Sequence, residues 1–511
     1  MGESKRRGLA HQSAIPVESL AVGSFAGKVH VEWDPHAAVT PLGQLPFFIE
    51  FLKVSGVFDE LVESCPLTYE SPNAPDKRDV LGTLLLSILA GHHRYAHINS
   101  VRMDAVNPSL LGMKRVVSED SVRRALKHLD EARGVAWLEA ALQRCYALML
   151  KSPWIVDIDT TVKPLYGKQE GAVVGYNPHK PGRPSHAYHS YMRSGTRLIM
   201  NVEVQPGNHT AASYSGEKLW ELVSSLPANE RPYLIRGDIA FGVENSMAEA
   251  ERAGISYLFK LRQTVQVKRL IKRLFTTPDW QDAGQGWMGR ESLLHLQGWT
   301  KARRVVVLRR RLKENLALLE RDEQQQLQLS TIEVLGPGEV YEYAVLITNR
   351  NDAIETCAQL YRDRGDCENH FDELKSQWGW AGYTTTDLKP CRLVSRMIAL
   401  VYNWWNIFVR LAHPDTHLEA ITSRPLLLHA VAKRTEHAGQ QRLTITSMHA
   451  KSTHAQRMLT QLSRFLNSLI DTAEQLNPTL RWYHILSRAF HKLFGGIPLA
   501  PPLLCLPAAS N

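Results

Sequence analysis

Between Trp154 and Thr348 the spacing of apolar positions changes repeatedly, and each change marks a new element. PWIVDIDTTV alternates, with Val156 and Ile158 on one face and Asp157 and Asp159 on the other, which predicts a strand from about Trp154. A loop rich in Gly, Pro and His follows (GYNPHKPGRPSH), and then HAYHSYM and RLIMNVEVQ read as two strands joined by the turn SGTR. GEKLWELVSSL has the spacing of a helix, and PYLIRGDIAFG that of a buried strand ending at Gly237 and Asp238. VENSMAEAERAG is then helical and ISYLFKLR is another strand. The order β-β-β-α-β-α-β predicts an α/β core, and YEYAVLITN adds one more strand after a long intervening stretch.

A helix pattern runs next through YRDRGDCENHFDELK. At about 100° per residue, Tyr361, Arg364, Glu368 and Lys375 fall within an arc of about 60°. Leu360, Cys367, Phe371 and Leu374 form an apolar stripe directly beside that arc, so the polar row is expected at the rim of a core. A salt-bridged surface helix is the ordinary explanation for such a row. The acids at the ends of two preceding strands raise another, because all three elements return to one core.

Composition narrows the class. The 511 residues are 44% hydrophobic and 22% charged, as expected of a globular chain with several domains. The longest apolar run, from Val80 to Gly91, is too short to cross a bilayer, and MGESKRRGLAHQ lacks the apolar core of a signal peptide. A soluble, cytoplasmic protein with no membrane partner is expected. Six cysteines without a C-x-x-C pair argue against a zinc ribbon and against a disulfide framework. Neither H-E-x-x-H nor a phosphate-binding G-x-x-x-x-G-K-[ST] loop occurs, so zinc hydrolysis and nucleotide fuel are not indicated.

The net charge of +9 is unevenly spread. Lys260 to Lys313 holds 14 Lys and Arg against 3 Asp and Glu, which leaves the rest of the chain near neutral. In VQVKRLIKRLF and KARRVVVLRRRLK basic residues interleave with β-branched ones, and Trp280, Trp287 and Trp299 accompany them. Cationic strands with nearby aromatics suit phosphate contacts and base stacking, with Arg309, Arg310 and Arg311 as the candidate phosphate contacts.

The element order and the spelling Y-x2-R-x3-E-x6-K at Tyr361, Arg364, Glu368 and Lys375 resemble the DDE transposases with a YREK signature. These are bacterial insertion-sequence transposases of the insertion sequence 4 type, and the GYNPHKPGRPSH loop is similar to the insertion sequence 1380-like subgroup. The resemblance implies an RNase H-like catalytic core interrupted by a β-rich insertion, with helical N- and C-terminal regions. It carries the catalytic acids over to Asp159, Asp238 and Glu368, with Asp157 an alternative first acid, and gives Tyr361, Arg364 and Lys375 a role in holding DNA. It also implies two Mg²⁺ ions, with Mn²⁺ as a substitute, bound by those three acids. Hard Mg²⁺ takes oxygen ligands, and two ions can stabilise both the attacking and the leaving oxygen of a phosphodiester. The expected partners are duplex DNA, as element terminal inverted repeats and as target, and a second copy of the chain in the DNA complex.

The expected organisation begins with an N-terminal arm (1–75) and a helical, candidate DNA-binding segment (76–150). The RNase H-like core follows as two stretches, 151–262 and 341–388, separated by a basic β-rich insertion (263–340), and a helical, candidate dimerisation region (389–511) ends the chain. Within the helical segment before the core, Ser118 is the predicted N-cap of SVRRALKHL, with Glu119 and Asp120 in its first turn. Cut-and-paste transposition is the leading function. A metal-dependent nuclease or domesticated derivative without integration, and a non-catalytic DNA-binding regulator, are the alternatives.

Overall fold

The computed structural model describes residues 19–34, 36–151, 153–177, 180–209, 216–312, 331–334, 340–380, 382–448, 450–472 and 476–502. The alternating segments become β1 (Ile155–Pro164), β2 (Pro184–Arg193), β3 (Leu198–Pro206), β4 (Leu234–Gly237), β5 (Ser256–Lys260), β6 (Trp287–Leu294), β7 (Arg303–Arg311) and β8 (Val340–Thr348). β1, β2 and β3 form an antiparallel meander, and β4 and then β5 add in parallel on the far side of β1, giving the order β3-β2-β1-β4-β5. β8 pairs antiparallel with β5, and β7 and β6 continue from it. The strands of the basic insertion are therefore hydrogen-bonded onto the core sheet, which reaches 11 strands among the described residues. The fold is mixed α/β around one large mixed sheet.

Two expectations about the insertion and the tail need correction. VQVKRLIKRLF is a helix (Val265–Phe275), because Val267, Leu270, Ile271 and Leu274 recur at helical spacing and are all buried. The basic residues between them lie on its other faces, and only the second basic segment is a strand. The C-terminal region, expected to be helical, also contains the strands Ala432–His437 and Gln440–Ile445, which pair as a hairpin and join Val39–Thr40 in a small separate sheet. Part of the GYNPHKPGRPSH loop, the first residues of the expected N-terminal arm, Lys313 at the end of the basic block and Cys505 fall outside the described residues.

The long apolar helix, Leu388–Ala412, seals one edge of the core. Asn403 accepts from the Ile199 N–H at 2.9 Å and donates to the Ile199 carbonyl at 2.8 Å, and Arg392 donates to the Val204 carbonyl at 2.9 Å. These bonds occupy backbone groups of β3 that an edge strand would otherwise expose. On its other side Trp405 and Phe408 meet Phe48 of the helix Leu45–Ser55, with ring centroids 5.4 and 5.2 Å away. The helices Leu45–Ser55 and Leu388–Ala412 thus share one core. The helix Glu119–His128 starts as predicted, with the Ser118 hydroxyl accepting from the Ser121 N–H. The cysteines at 65, 145, 357, 367 and 391 are buried and unbridged. Among the described residues no helix is long and apolar enough to cross a membrane.

Candidate active site

Strand register assembles the first half of the site. β1 and β4 run parallel with Ile158 opposite Gly237, so the next residues, Asp159 and Asp238, stand side by side. β4 and β5 pair Gly237 with Phe259, which places Lys260 beside Asp238 in turn. Asp159, Asp238 and Lys260 therefore form a row across three adjacent strands at the carboxyl end of β4. Asp159 accepts from the Thr160 N–H at 2.8 Å and Asp238 from the Ala240 N–H at 3.0 Å. Gly237 is needed at the turn, since a Cβ there would approach the Phe241 ring to 2.8 Å.

The other half comes from two helices, α1 (Ile354–Arg362) and α2 (Gly365–Gln377). A single helix was expected from Tyr361 to Lys375, and the chain instead tightens at Asp363 and Arg364. The N–H groups of Arg364, Asp366 and Cys367 bond three residues back, to Tyr361, Asp363 and Arg364. Each such residue turns the chain about 20° more than an α-helix does. The straight polar row is therefore broken after Tyr361, which lies on α1, while Arg364 caps α2 and Glu368 and Lys375 lie on it. Cys367, Phe371 and Leu374 are buried as their stripe predicts.

Arg364 does not lie on the rim. Its side chain is only 2% exposed and its guanidinium reaches Asp159 Oδ2 at 3.1 Å and Glu368 Oε1 at 3.0 Å. One cation thus bridges an acid of the first strand and the acid of the late helix. Glu368 itself is open to solvent, with 64% of its side chain exposed. Burial pushes the Asp159 carboxyl up to about 6 against the pull of Arg364, and Asp238 and Glu368 add to the rise. Burial also raises Asp238 against Arg364, with Glu368 again adding. Lys260 and Lys375 are shifted down by burial, and Asp159 opposes that shift at Lys375. Tyr361 is raised, first by burial and then by the nearby acids, with Arg364 opposing. Of the sequence-predicted residues, Asp159, Asp238, Glu368, Tyr361, Arg364 and Lys375 are brought together.

Asp157 has a different environment. Arg236 donates to both of its oxygens, from Nε at 2.7 Å and Nη2 at 2.8 Å, and each side chain is 1% exposed. The same guanidinium donates to Ser194 Oγ and to the Leu360 carbonyl, tying β1, β4 and α1 together. Removing one partner of a buried pair costs about 3–5 kcal/mol because the other charge is left alone. Asp157→Asn is expected to destabilise the fold on that scale, seen as a lower melting temperature in calorimetry of the metal-free protein. The matching D-x-D and R-G-D spellings, with each partner two residues before an acid on parallel strands, are the signal that could have found Arg236.

Further residues fix α2. Arg197 donates from Nε to both oxygens of Asp366 at 2.9 and 3.1 Å, in the first turn. Glu373 is buried and accepts from Trp378 Nε1 at 3.1 Å and the Ala420 N–H at 3.0 Å, with His417 Nε2 also 3.0 Å away. An acid on the apolar side of a helix carries no sequence mark beyond its misplaced polarity, and the sequence reading missed it.

Arg309, Arg310 and Arg311 lie apart from the acids. Val306 shares the row of Leu346 and Lys260, and the three arginines lie three to five residues farther along β7, about 10–17 Å past the carboxyl end of β5. Arg309 is half-buried over Trp280 at 3.9 Å and Tyr341 at 5.0 Å, whereas Arg310 and Arg311 are exposed. Arg310 also pairs with Glu342 at 2.7 Å. Replacing Arg310 and Arg311 with Ala is expected to flatten log K against log salt for duplex DNA by up to about 2. Arg309→Ala is expected to leave that slope unchanged and to lower stability.

Acids on parallel strand ends and on a returning helix are thus joined by one arginine and flanked by lysines. The chain belongs to the transposase DDE domain group 1 family, whose model matches residues 69–467. Among solved structures it is similar to a piggyBac transposase synaptic complex with hairpin DNA. That likeness has 14% identity and a TM-score of 0.38, and covers 86% of this chain and 84% of that one. No curated protein matches.

Proposed function

We propose that this transposase is a cut-and-paste enzyme of the YREK type, with an RNase H-like core in which Asp159, Asp238 and Glu368 are the catalytic acids. The observation that carries the reading is their gathering around Arg364 at the carboxyl end of β4. The strand order β3-β2-β1-β4-β5 supports the core assignment. The pairing of Asp157 with Arg236 favours Asp159 as the first acid, and kinship with the insertion sequence 4 type and its 1380-like subgroup rests on the motif.

Three carboxylates are a donor set suited to Mg²⁺ or Mn²⁺, and burial holds Asp159 and Asp238 above the usual carboxylate range against the pull of Arg364. In this structure the Arg364 guanidinium bridges Asp159 and Glu368, and among the described residues no three potential ligands converge closely enough to hold an ion. When bound, two divalent ions would stabilise the attacking and leaving oxygens of the phosphodiester. Asp159, Asp238 and Glu368 would hold them. The planar fork of Arg364 suits a phosphate, so Arg364 would help hold the DNA beside the acids. Lys375 and Lys260 border the acids and would neutralise phosphate charge, while Tyr361 packs beside them. Duplex DNA is the substrate, at the element ends and at the target, and a second copy of the chain would complete the DNA complex.

The test is an assay with Mg²⁺ on a duplex from the DNA flanking the gene. Cleavage followed by joining to a second duplex supports transposition. Cleavage without joining identifies a nuclease, and binding without cleavage a regulator.

A further inference from the structure

The hairpin formed by Ala432–His437 and Gln440–Ile445 has two unlike faces. Residues opposite one another in an antiparallel pair share a face, and the register pairs Ala432 with Ile445, Arg434 with Leu443 and Glu436 with Gln441. On that inner face Ala432 is buried, and Arg434, Leu443 and Ile445 are partly buried. Arg434 donates to Ser109 Oγ at 2.6 Å, and Ala432 and Lys433 pair with Thr40 and Val39. The outer face comprises Lys433, Thr435, His437, Gln440, Arg442 and Thr444, every one exposed. It contains no acid.

Opposite charges directly across the strands of a hairpin stabilise it. Here Lys433 faces Thr444, Thr435 faces Arg442 and His437 faces Gln440, so neither fixed cation has an acid opposite it. Ala438 and Gly439, with φ of 49° and 75°, close the hairpin in a tight turn. The four residue pairs beyond Lys433 lack the third strand and give a two-stranded tip about 13 Å long, and a two-stranded ribbon fits the major groove, about 12 Å wide. Its base is also tied to the helix that carries Glu368. The helix Ala420–Leu427, just before the ribbon, donates from the Ile421 N–H to Gln377 Oε1 at 2.6 Å and from Arg424 to the Gln377 carbonyl at 2.5 Å.

We infer that the 432–445 ribbon is a DNA-docking element that enters the major groove of duplex DNA. Lys433 and Arg442 would contact phosphates, and Thr435, Gln440 and Thr444 would face base edges. The inference rests on the transposase reading and extends it to a region of the chain outside the acid cluster.

The experiment compares wild type with the Lys433→Ala/Arg442→Ala double variant by fluorescence anisotropy over a salt series. One duplex comes from the DNA flanking the gene and one has random sequence, and Mg²⁺-dependent cleavage by wild type is recorded alongside. The variant is expected to bind about tenfold more weakly and to lose about 2 from the salt slope, at about 0.9 for each phosphate contact. Loss on the flanking duplex alone assigns the ribbon to end recognition, and equal loss on both assigns it to target or general DNA binding. Lys433→Arg/Arg442→Lys is expected to keep the slope. Unchanged affinity and slope on both duplexes, with wild type binding and cutting, overturns the ribbon and leaves the transposase reading intact. If wild type neither binds nor cuts either duplex, the transposase reading itself falls.

Discussion

Asp159→Asn, Asp238→Asn and Glu368→Gln are each expected to abolish strand cleavage while DNA binding stays the same or tightens slightly. Each change removes one carboxylate from a set of three, and an amide cannot replace an anionic ligand for a hard cation. Each also removes negative charge next to the place where a phosphate must sit. Binding by anisotropy and cleavage on denaturing gels separate the two effects. Asp157→Asn should behave differently, with its main effect on stability, because its carboxylate is occupied by Arg236. A variant set in which Asp157→Asn is folded and inactive while Asp159→Asn cuts normally would reverse the assignment of the first acid.

The second large effect is expected at Arg364. As an exposed member of a salt-bridged row it would be worth about 0–1 kcal/mol. It is instead buried between Asp159 and Glu368, so Arg364→Ala leaves a buried carboxylate without its partner, a change on the scale of about 3–5 kcal/mol. The loss should depend on pH. The Asp159 carboxyl ordinarily titrates at 3.8 and stands at about 6 in the folded chain, and removing Arg364 takes away what holds it down. Over that interval the folded state binds more protons than the unfolded state, so stability falls as pH rises. The melting deficit of Arg364→Ala relative to wild type, measured with metal chelated, should therefore be larger at pH 8 than at pH 5. A deficit independent of pH would separate Arg364 from the charge of Asp159. Arg364→Lys should recover some of the stability but little of the cleavage, because an ammonium cannot reproduce the fork that spans two oxygens.

Much of the core was legible in the sequence because its signals are local. Alternation from Ile155 to Val162 and the Ser118 cap depend on neighbouring residues only, and each element appears where its period predicts it. Features that depend on distant partners were not legible. Arg364 reads as a surface cation until β1 is placed beneath it, and Asp157 reads as a second candidate acid until β4 brings Arg236 alongside. VQVKRLIKRLF was ambiguous in a different way, since basic and β-branched residues suggest a strand while the apolar residues alone keep helical spacing. The 432–445 ribbon is short and polar on one face, so its alternation was hidden between long helices.

The central claim, that Glu368 completes a metal-dependent cutting centre with Asp159 and Asp238, is tested most directly by single-turnover cleavage of the flanking duplex. Wild type and Glu368→Gln are assayed side by side, each in Mg²⁺ and in chelator. The prediction is Mg²⁺-dependent cleavage by wild type and none by the variant, although both bind the duplex. Cleavage by Glu368→Gln at the wild-type rate, or undiminished wild-type cleavage in chelator, would contradict it.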